Sequence, residues 1–343
     1  MNITNLLISK KINVLTFSAN VAFKGSQPER MYFSTDLKNQ QFINADYSPF
    51  LAAVLLPCMK TGEDIVVKGF VSKKLLENTE KIMDLVVGWN VGLRRINVIP
   101  AKAGIHPKRP SQEAGSPIKS GMTNHASFLQ ARTISPSIAS FFSAGVDSFY
   151  TYLKHKNKKD KISSLILVHG FDIPLENKIL FAKTKKTVEK IAEVEKVNAI
   201  CVKTNVGEII EKHLIWDFAH GGALAAVGLF LGLNKIFIPA GLRKDELFPY
   251  GTHPNLDKLW STEKTVFTHD GTEYNRLGKI MNVVGKSPLA LKYLRVCTQN
   301  IKGKYNCSRC YKCLQTMIEL VCANALHKVK TFDRLDLKAV SNM

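Results

Sequence analysis

The sequence predicts an α/β protein: a parallel five-stranded sheet with helices on both faces, a small N-terminal α+β domain and a C-terminal four-cysteine segment. Three observations predict it. From Ile138 onward, continuous apolar strands alternate with helical stretches, the pattern of a parallel sheet covered on both faces. Residues 1–98 mix strand-like and helix-like runs without that alternation. Near the C-terminus, Cys297, Cys307, Cys310 and Cys313 stand close together.

The N-terminal stretch begins with a strand at Ile12 to Phe17. Ser48-Pro49 supplies an N-cap and a proline in the first turn of an apolar helix. A second strand runs from Asp64 to Val71, and Ser72 opens a helix to Trp89 with apolar residues at helical spacing. Residues 99–136 are rich in Pro, Gly and Ser with almost no apolar periodicity, which reads as a linker or a disordered insertion. From residue 137 the order is a strand (IASFF), a turn, and a helix through His155. Then come a strand (SSLILVHG), a helix from Glu176 to Glu195, a strand (NAICVKT), a buried helix from Asp217 to Leu233, and a strand (KIFIPAG). In such sheets the ligand sits beyond the carboxyl ends of the strands. The expected units are therefore 1–98, 99–136 and 137–343.

A chain of 343 residues and 38.3 kDa is long for one ordinary domain and suits two. Its 45% hydrophobic content excludes wholesale disorder. The net charge of +20 favours a polyanion partner. Only ten of the 48 basic residues are arginine, however, so much of the excess reads as diffuse solubilising lysine. Half of the charge, +10, falls between Arg276 and Met343. The opening residues carry Lys10 and Lys11 and no cleavable apolar leader. The most apolar run, residues 221–233, is too short to span a bilayer. The expectation is a soluble cytoplasmic chain with no membrane partner.

Two motifs carry chemistry. Ser143, Ala144, Gly145, Val146, Asp147 and Ser148 follow the strand IASFF and open a helix. A small-residue turn there offers unpaired N–H groups and a positive dipole end to phosphate, with serine hydroxyls as further donors. Asp147, an anion in an anion site, makes sense as a carrier of Mg²⁺ for a pyrophosphate. The second motif is Cys297-x9-Cys307-x2-Cys310-x2-Cys313. An odd, clustered cysteine set without a secretion signal argues for metal ligation. Four thiolates suit a closed structural Zn²⁺ site, and an iron–sulfur cluster accepts the same ligands. Cys58, Cys201 and Cys322 lie in apolar runs and read as core residues.

The hexapeptide resembles the SGGxDS signature of the PP-loop ATP pyrophosphatases, with Ala144 where that family usually has glycine. Together with the cysteine pattern, residues 138 to about 322 resemble the 7-cyano-7-deazaguanine synthase family, 185 of the 343 residues. The resemblance implies an adenine nucleotide alpha hydrolase-like fold, with ATP, Mg²⁺ and Zn²⁺ as cofactors. It implies adenylation of a carboxylate or carbonyl oxygen, release of pyrophosphate, and attack by ammonia or an amine. Asp147 and Ser148 would be catalytic, residues 143 to 148 would hold the nucleotide, and His169 and Asp172 (HGFD) would lie beside it. Gly241 and Asp245 match the family's G-x3-D stretch, whereas GTHPNLDKLWSTE replaces its deazapurine-binding segment. His220, His253, Asp257 and Trp260, with Asp245, are the candidates for binding a small-molecule acceptor. Alternatives stay open: a tRNA-modifying PP-loop enzyme, motivated by basicity but not favoured, or a nucleotide-binding protein without catalysis. A homodimer is compatible with all of these.

Overall fold

The computed structural model describes residues 1–103 and 137–341, so most of the stretch expected as a linker lies outside the described residues. The sheet is the organising element. It has ten strands in the order β10-β9-β6-β7-β8-β3-β2-β1-β4-β5 and is mixed. The strands are β1 (Asn2–Lys11), β2 (Val14–Ala22), β3 (Glu29–Asp36), β4 (Ile65–Val71) and β5 (Val98–Ala103). After them come β6 (Ile138–Phe141), β7 (Ser164–His169), β8 (Asn198–Thr204), β9 (Lys235–Pro239) and β10 (Val266–Asp270).

This corrects the expected five-stranded parallel sheet. β10, β9, β6, β7 and β8 do pair in parallel, but the N-terminal strands continue the same sheet rather than forming one of their own. β3 joins β8 antiparallel through three residue pairs, Phe33 with Thr204, Ser34 with Lys203 and Thr35 with Val202. β2 and β1 follow antiparallel, then β4 and β5 parallel. The expected strand at Ile12 to Phe17 is instead the turn and start of a β1–β2 hairpin, with Ile12 at φ +49°.

Two buried layers cover the sheet. On one face lie α1 (Ser48–Thr61), α2 (Lys73–Gly88), the short α5 (Val206–Ile210) and α6 (Trp216–Leu231), in one core that runs from Ile3 on β1 to Phe267 on β10. α3 (Val146–His155), α4 (Lys178–Glu195), α8 (Arg276–Asn282), α9 (Pro288–Tyr293) and α10 (Tyr311–Cys322) cover the parallel half on the other face. α7 (Pro254–Asp257) and α11 (Leu337–Ser341) are short outlying turns.

Local sequence explains the main helices. α1 starts where the Asp46 carboxylate accepts the Ser48 N–H, has Pro49 in its first turn, and ends at Gly62 in a left-handed conformation. α2 is capped by Ser72, whose Oγ accepts the Leu75 N–H. α6 is almost wholly apolar, as a helix buried beside α1 on the sheet must be. Its Gly222 is what lets α1 approach: a Cβ there would lie 2.7 Å from the Ala52 carbonyl oxygen. Among the described residues no helix is long and apolar enough to cross a membrane.

Candidate functional site

The turn between β6 and α3 opens the helix with small residues. Gly145, extended at φ −80° and ψ 172°, is the N-cap of α3. The first in-helix bond here runs from the Phe149 N–H to the Gly145 carbonyl, so the N–H groups of residues 146–148 precede the hydrogen-bonded ladder. Ser148 Oγ donates to the Gly145 carbonyl at 3.0 Å and fixes the first turn. Ala144 sits at φ +62°, the left-handed region that glycine occupies freely, at a cost of about 1 kcal/mol or more for alanine. The chain holds it there by a bond from the Arg295 N–H to the Ala144 carbonyl, 2.9 Å.

In front of this turn lies a cleft of about 240 Å³ at the carboxyl ends of β6, β7 and β9. Ser143, Asp147, Ser148 and Arg295 form one side; Phe171, Asp172, Trp216 and His220 form the other. The second side is aromatic, with Phe171 5.0 Å from Trp216 and His220 4.7 Å from Tyr250 between ring centres. His220 is held between the Trp216 carbonyl and Thr252 Oγ1. Burial lowers its pKa, so the ring is neutral near pH 7.

Three cations that sequence reasoning did not single out gather at the turn. Lys279 Nζ, wholly buried, pairs with Asp147 Oδ1 at 2.7 Å and also donates to the Ala240 carbonyl. Arg276 lies 3.8 Å from Asp147 and pairs with Glu319 at 3.2 Å. Arg295, 4% exposed, donates to Asn300 Oδ1. Burial, with Arg276 adding to it, lowers the Lys312 pKa nearby, while Asp147 and Glu319 oppose the shift. The signal available in the sequence was the +10 of the C-terminal stretch, but nothing local separates these residues from the surrounding lysines. Asp147, expected free for Mg²⁺, is ion-paired in this structure.

The other residues singled out fall elsewhere. Asp172 lines the cleft, but His169 does not: its Nε2 hydrogen-bonds the Pro174 carbonyl at 3.1 Å and its ring stacks on Phe181 at 3.9 Å. Asp245 is exposed and paired with Arg243. His253 caps α7 by accepting the Asn255 N–H and meets Trp89 edge-on. Asp257 is fully buried and pairs with His269 Nδ1 at 2.6 Å. Trp260 is fully buried in the core beside α6. The loop that read as an acceptor site is therefore mostly a packed edge of the sheet.

The four cysteines do come together. Their sulfur atoms all lie within 4.8 Å of one another, and Cys297, Cys307 and Cys313 are buried. A tetrahedron with arms of about 2.3 Å has edges of about 3.8 Å; Cys307 and Cys313 Sγ are 3.9 Å apart. The Cys310 N–H points at Cys307 Sγ at 3.2 Å. No disulfide forms among the described cysteines. Burial resists ionisation of Cys310, yet N–H and thiol hydrogen bonds outweigh it and bring its pKa to about 7. Burial pushes the Cys313 thiol up. Four sulfurs at this spacing fit a metal ion, whose charge would favour their thiolate form. Of the remaining cysteines Cys58 is buried and Cys201 half-buried, but Cys322 is exposed, unlike the expectation for a core residue.

Comparison with protein-family models, with curated proteins and with solved structures found no match for the chain.

Proposed function

We propose that the chain is an ATP-dependent enzyme of the PP-loop type, with the parallel half of the sheet as an adenine nucleotide alpha hydrolase-like unit. An oxygen of an acceptor carboxylate or carbonyl attacks the α-phosphorus; the bond to the β-phosphate oxygen breaks and pyrophosphate leaves. Ammonia or an amine then attacks the activated carbon, and AMP departs with the oxygen. The observation that carries this reading is the Ser143–Ser148 turn, with its free N–H groups, opening onto a cleft that also holds Arg295 and adjoins the buried Lys279. Such a turn suits polyphosphate, and a cluster of positioned cations suits the charge of a leaving pyrophosphate. Asp147 is the carboxylate at hand for Mg²⁺, which takes most of its ligands from phosphates and water. The aromatic side with Phe171, Trp216 and His220 is where the acceptor would lie. The four cysteines would hold Zn²⁺ as a closed structural site.

The test is a pyrophosphate-release screen over carboxylate acceptors with ammonia. Turnover that falls at least about 100-fold in Asp147→Asn, with the far-UV spectrum unchanged, supports the reading. Wild-type release from that variant would overturn it. Metal analysis of the purified chain should give one zinc per chain, and an iron chromophore would replace zinc by a cluster.

A further inference from the structure

We propose that Arg295 is a phosphate-binding residue whose placement depends on the four-cysteine site, so that metal loading sets the affinity of the cleft for polyphosphate. The inference rests on the nucleotide reading above and adds to it a residue and a coupling. It begins with an anomaly of charge. Arg295 is 4% exposed and lines the cleft beside Asp147 and Ser143, yet its Nε has no hydrogen-bond partner. Among the described residues, no carboxylate forms an ion pair with it; its charged head meets only the amide oxygen of Asn300. A buried guanidinium with a donor to spare is costly unless an anion completes it. Guanidinium geometry suits phosphate oxygens.

What holds Arg295 in place is the cysteine segment. Cys297 stands two residues further along the chain. The N–H groups of Val296 and Cys297 both donate to Asn306 Oδ1, at 2.9 and 3.2 Å, and Asn306 immediately precedes Cys307. The Asn306 amide in turn donates to the Leu294 carbonyl at 2.9 Å. Residues 294–297 and 306–307 are thus tied together beside two of the four sulfurs. The loop between Cys297 and Cys307 carries Asn300, which orients the Arg295 guanidinium and whose Nδ2 donates to the Asp172 carbonyl at 2.7 Å across the cleft rim. Asn177 fixes the Asn300 carbonyl from α4. Finally, the Arg295 N–H holds the Ala144 carbonyl, so the same strap also restrains the left-handed residue of the phosphate turn. A metal closing Cys297 to Cys307 would remove the freedom of both ends of this loop. A nucleotide that binds the ordered strap would then bind more weakly once the metal is gone.

The test is calorimetric titration of the full chain with inorganic pyrophosphate and with ATP, alongside zinc content and thermal melting. Arg295→Met should weaken pyrophosphate binding at least tenfold with zinc content unchanged, and Arg295→Lys should restore part of the loss. Asn300 sits at φ +49°, so Asn300→Gly removes its side chain without backbone strain; it should weaken binding about threefold or more. Zinc-depleted wild type and Cys310→Ser, at the least buried ligand, should bind about tenfold more weakly. Depletion should cost Arg295→Met little further. If Arg295→Met binds like the wild type, the residue assignment falls. Should a folded, zinc-free Cys310→Ser keep wild-type affinity, the coupling falls; if that variant does not fold, wild-type affinity in Asn300→Gly overturns it instead. A wild type that binds neither pyrophosphate nor ATP overturns the nucleotide reading and this inference with it.

Discussion

Two loops leave the carboxyl ends of neighbouring parallel strands, and they have opposite fates. After β6, residues 143–148 present N–H groups and hydroxyls to a cleft and gather cations. After β9, residues 251–262 fold back on the sheet and bury their polar groups against one another: Asp257 on His269, His253 on its own helix. Both are rich in the residue types that make sites. What separates them is partnering. At the first loop a buried guanidinium has no carboxylate to pair with among the described residues, whereas at the second the carboxylate has its imidazole, although the Trp260 and His269 ring nitrogens stay unpaired there. Unmatched charge, rather than polarity as such, is what makes the first loop the candidate site.

The sharpest way to break this contrast is Lys279→Met. It removes a buried cation from the phosphate turn and should lower affinity for pyrophosphate at least about 100-fold, close to 2.7 kcal/mol, by calorimetry. An unchanged affinity would erase the distinction. Asp257→Ala should do the reverse. Leaving His269 buried without its carboxylate should cost about 3 kcal/mol and lower the melting temperature by about 5–10 °C, with pyrophosphate affinity within twofold of wild type. Loss of binding in a folded Asp257→Ala would return the second loop to the site.

A smaller effect concerns His169, which the sequence placed by the nucleotide and the structure stacks on Phe181. Burial lowers its folded-state pKa. Below the ordinary value of about 6.5 the unfolded chain takes up a proton that the folded chain refuses. Its contribution to stability is therefore complete above that pH and declines below it, by at most about 1.4 kcal/mol per pH unit. Urea midpoints should fall on acidification from pH 7 to 5.5, and His169→Gln, which keeps a donor for Pro174, should flatten the slope without altering pyrophosphate binding. The smallest effect is expected from Ala144→Gly. Relief of the left-handed strain, less the entropy of glycine, should raise stability by about 0.5–1 kcal/mol, read as a shift of 1–3 °C or so in melting, with the cleft unchanged.

How much was legible follows the same physics. β6 to β9 stood out because strands covered on both faces are continuously apolar. β1 to β3 did not: the second face of these strands is polar, as in the hydrogen bond of Thr16 to Ser34 and the contacts of Arg30 with Ser18 and Asn20. Their membership of the same sheet depends on three residue pairs with β8, which no local pattern announces. The cysteine cluster was legible because its spacing is local, and so was the place of the Ser143–Ser148 turn between a strand and a helix. Lys279 was not, since it meets Asp147 from 132 residues away against a background of many lysines. That His253 and Asp257 are partnered, and that Trp260 is packed in the core, was not legible, because composition does not reveal what a side chain meets in the fold.

The join between β3 and β8 also bears on how the chain comes to be made. Thr204 meets the Tyr32 carbonyl across 172 residues of sequence, and α1, though its Phe50 packs on Phe17 and Phe33, lacks its α6 contact until that helix exists. At a synthesis rate of about 5–20 residues per second, α1, whose Phe50 to Leu56 are all buried in the finished fold, waits on the order of ten seconds or more beside the ribosome for its partner. An early-made apolar helix left half-covered, with slow, long-range closure of this kind, makes the N-terminal stretch the part with most apolar surface exposed during biogenesis.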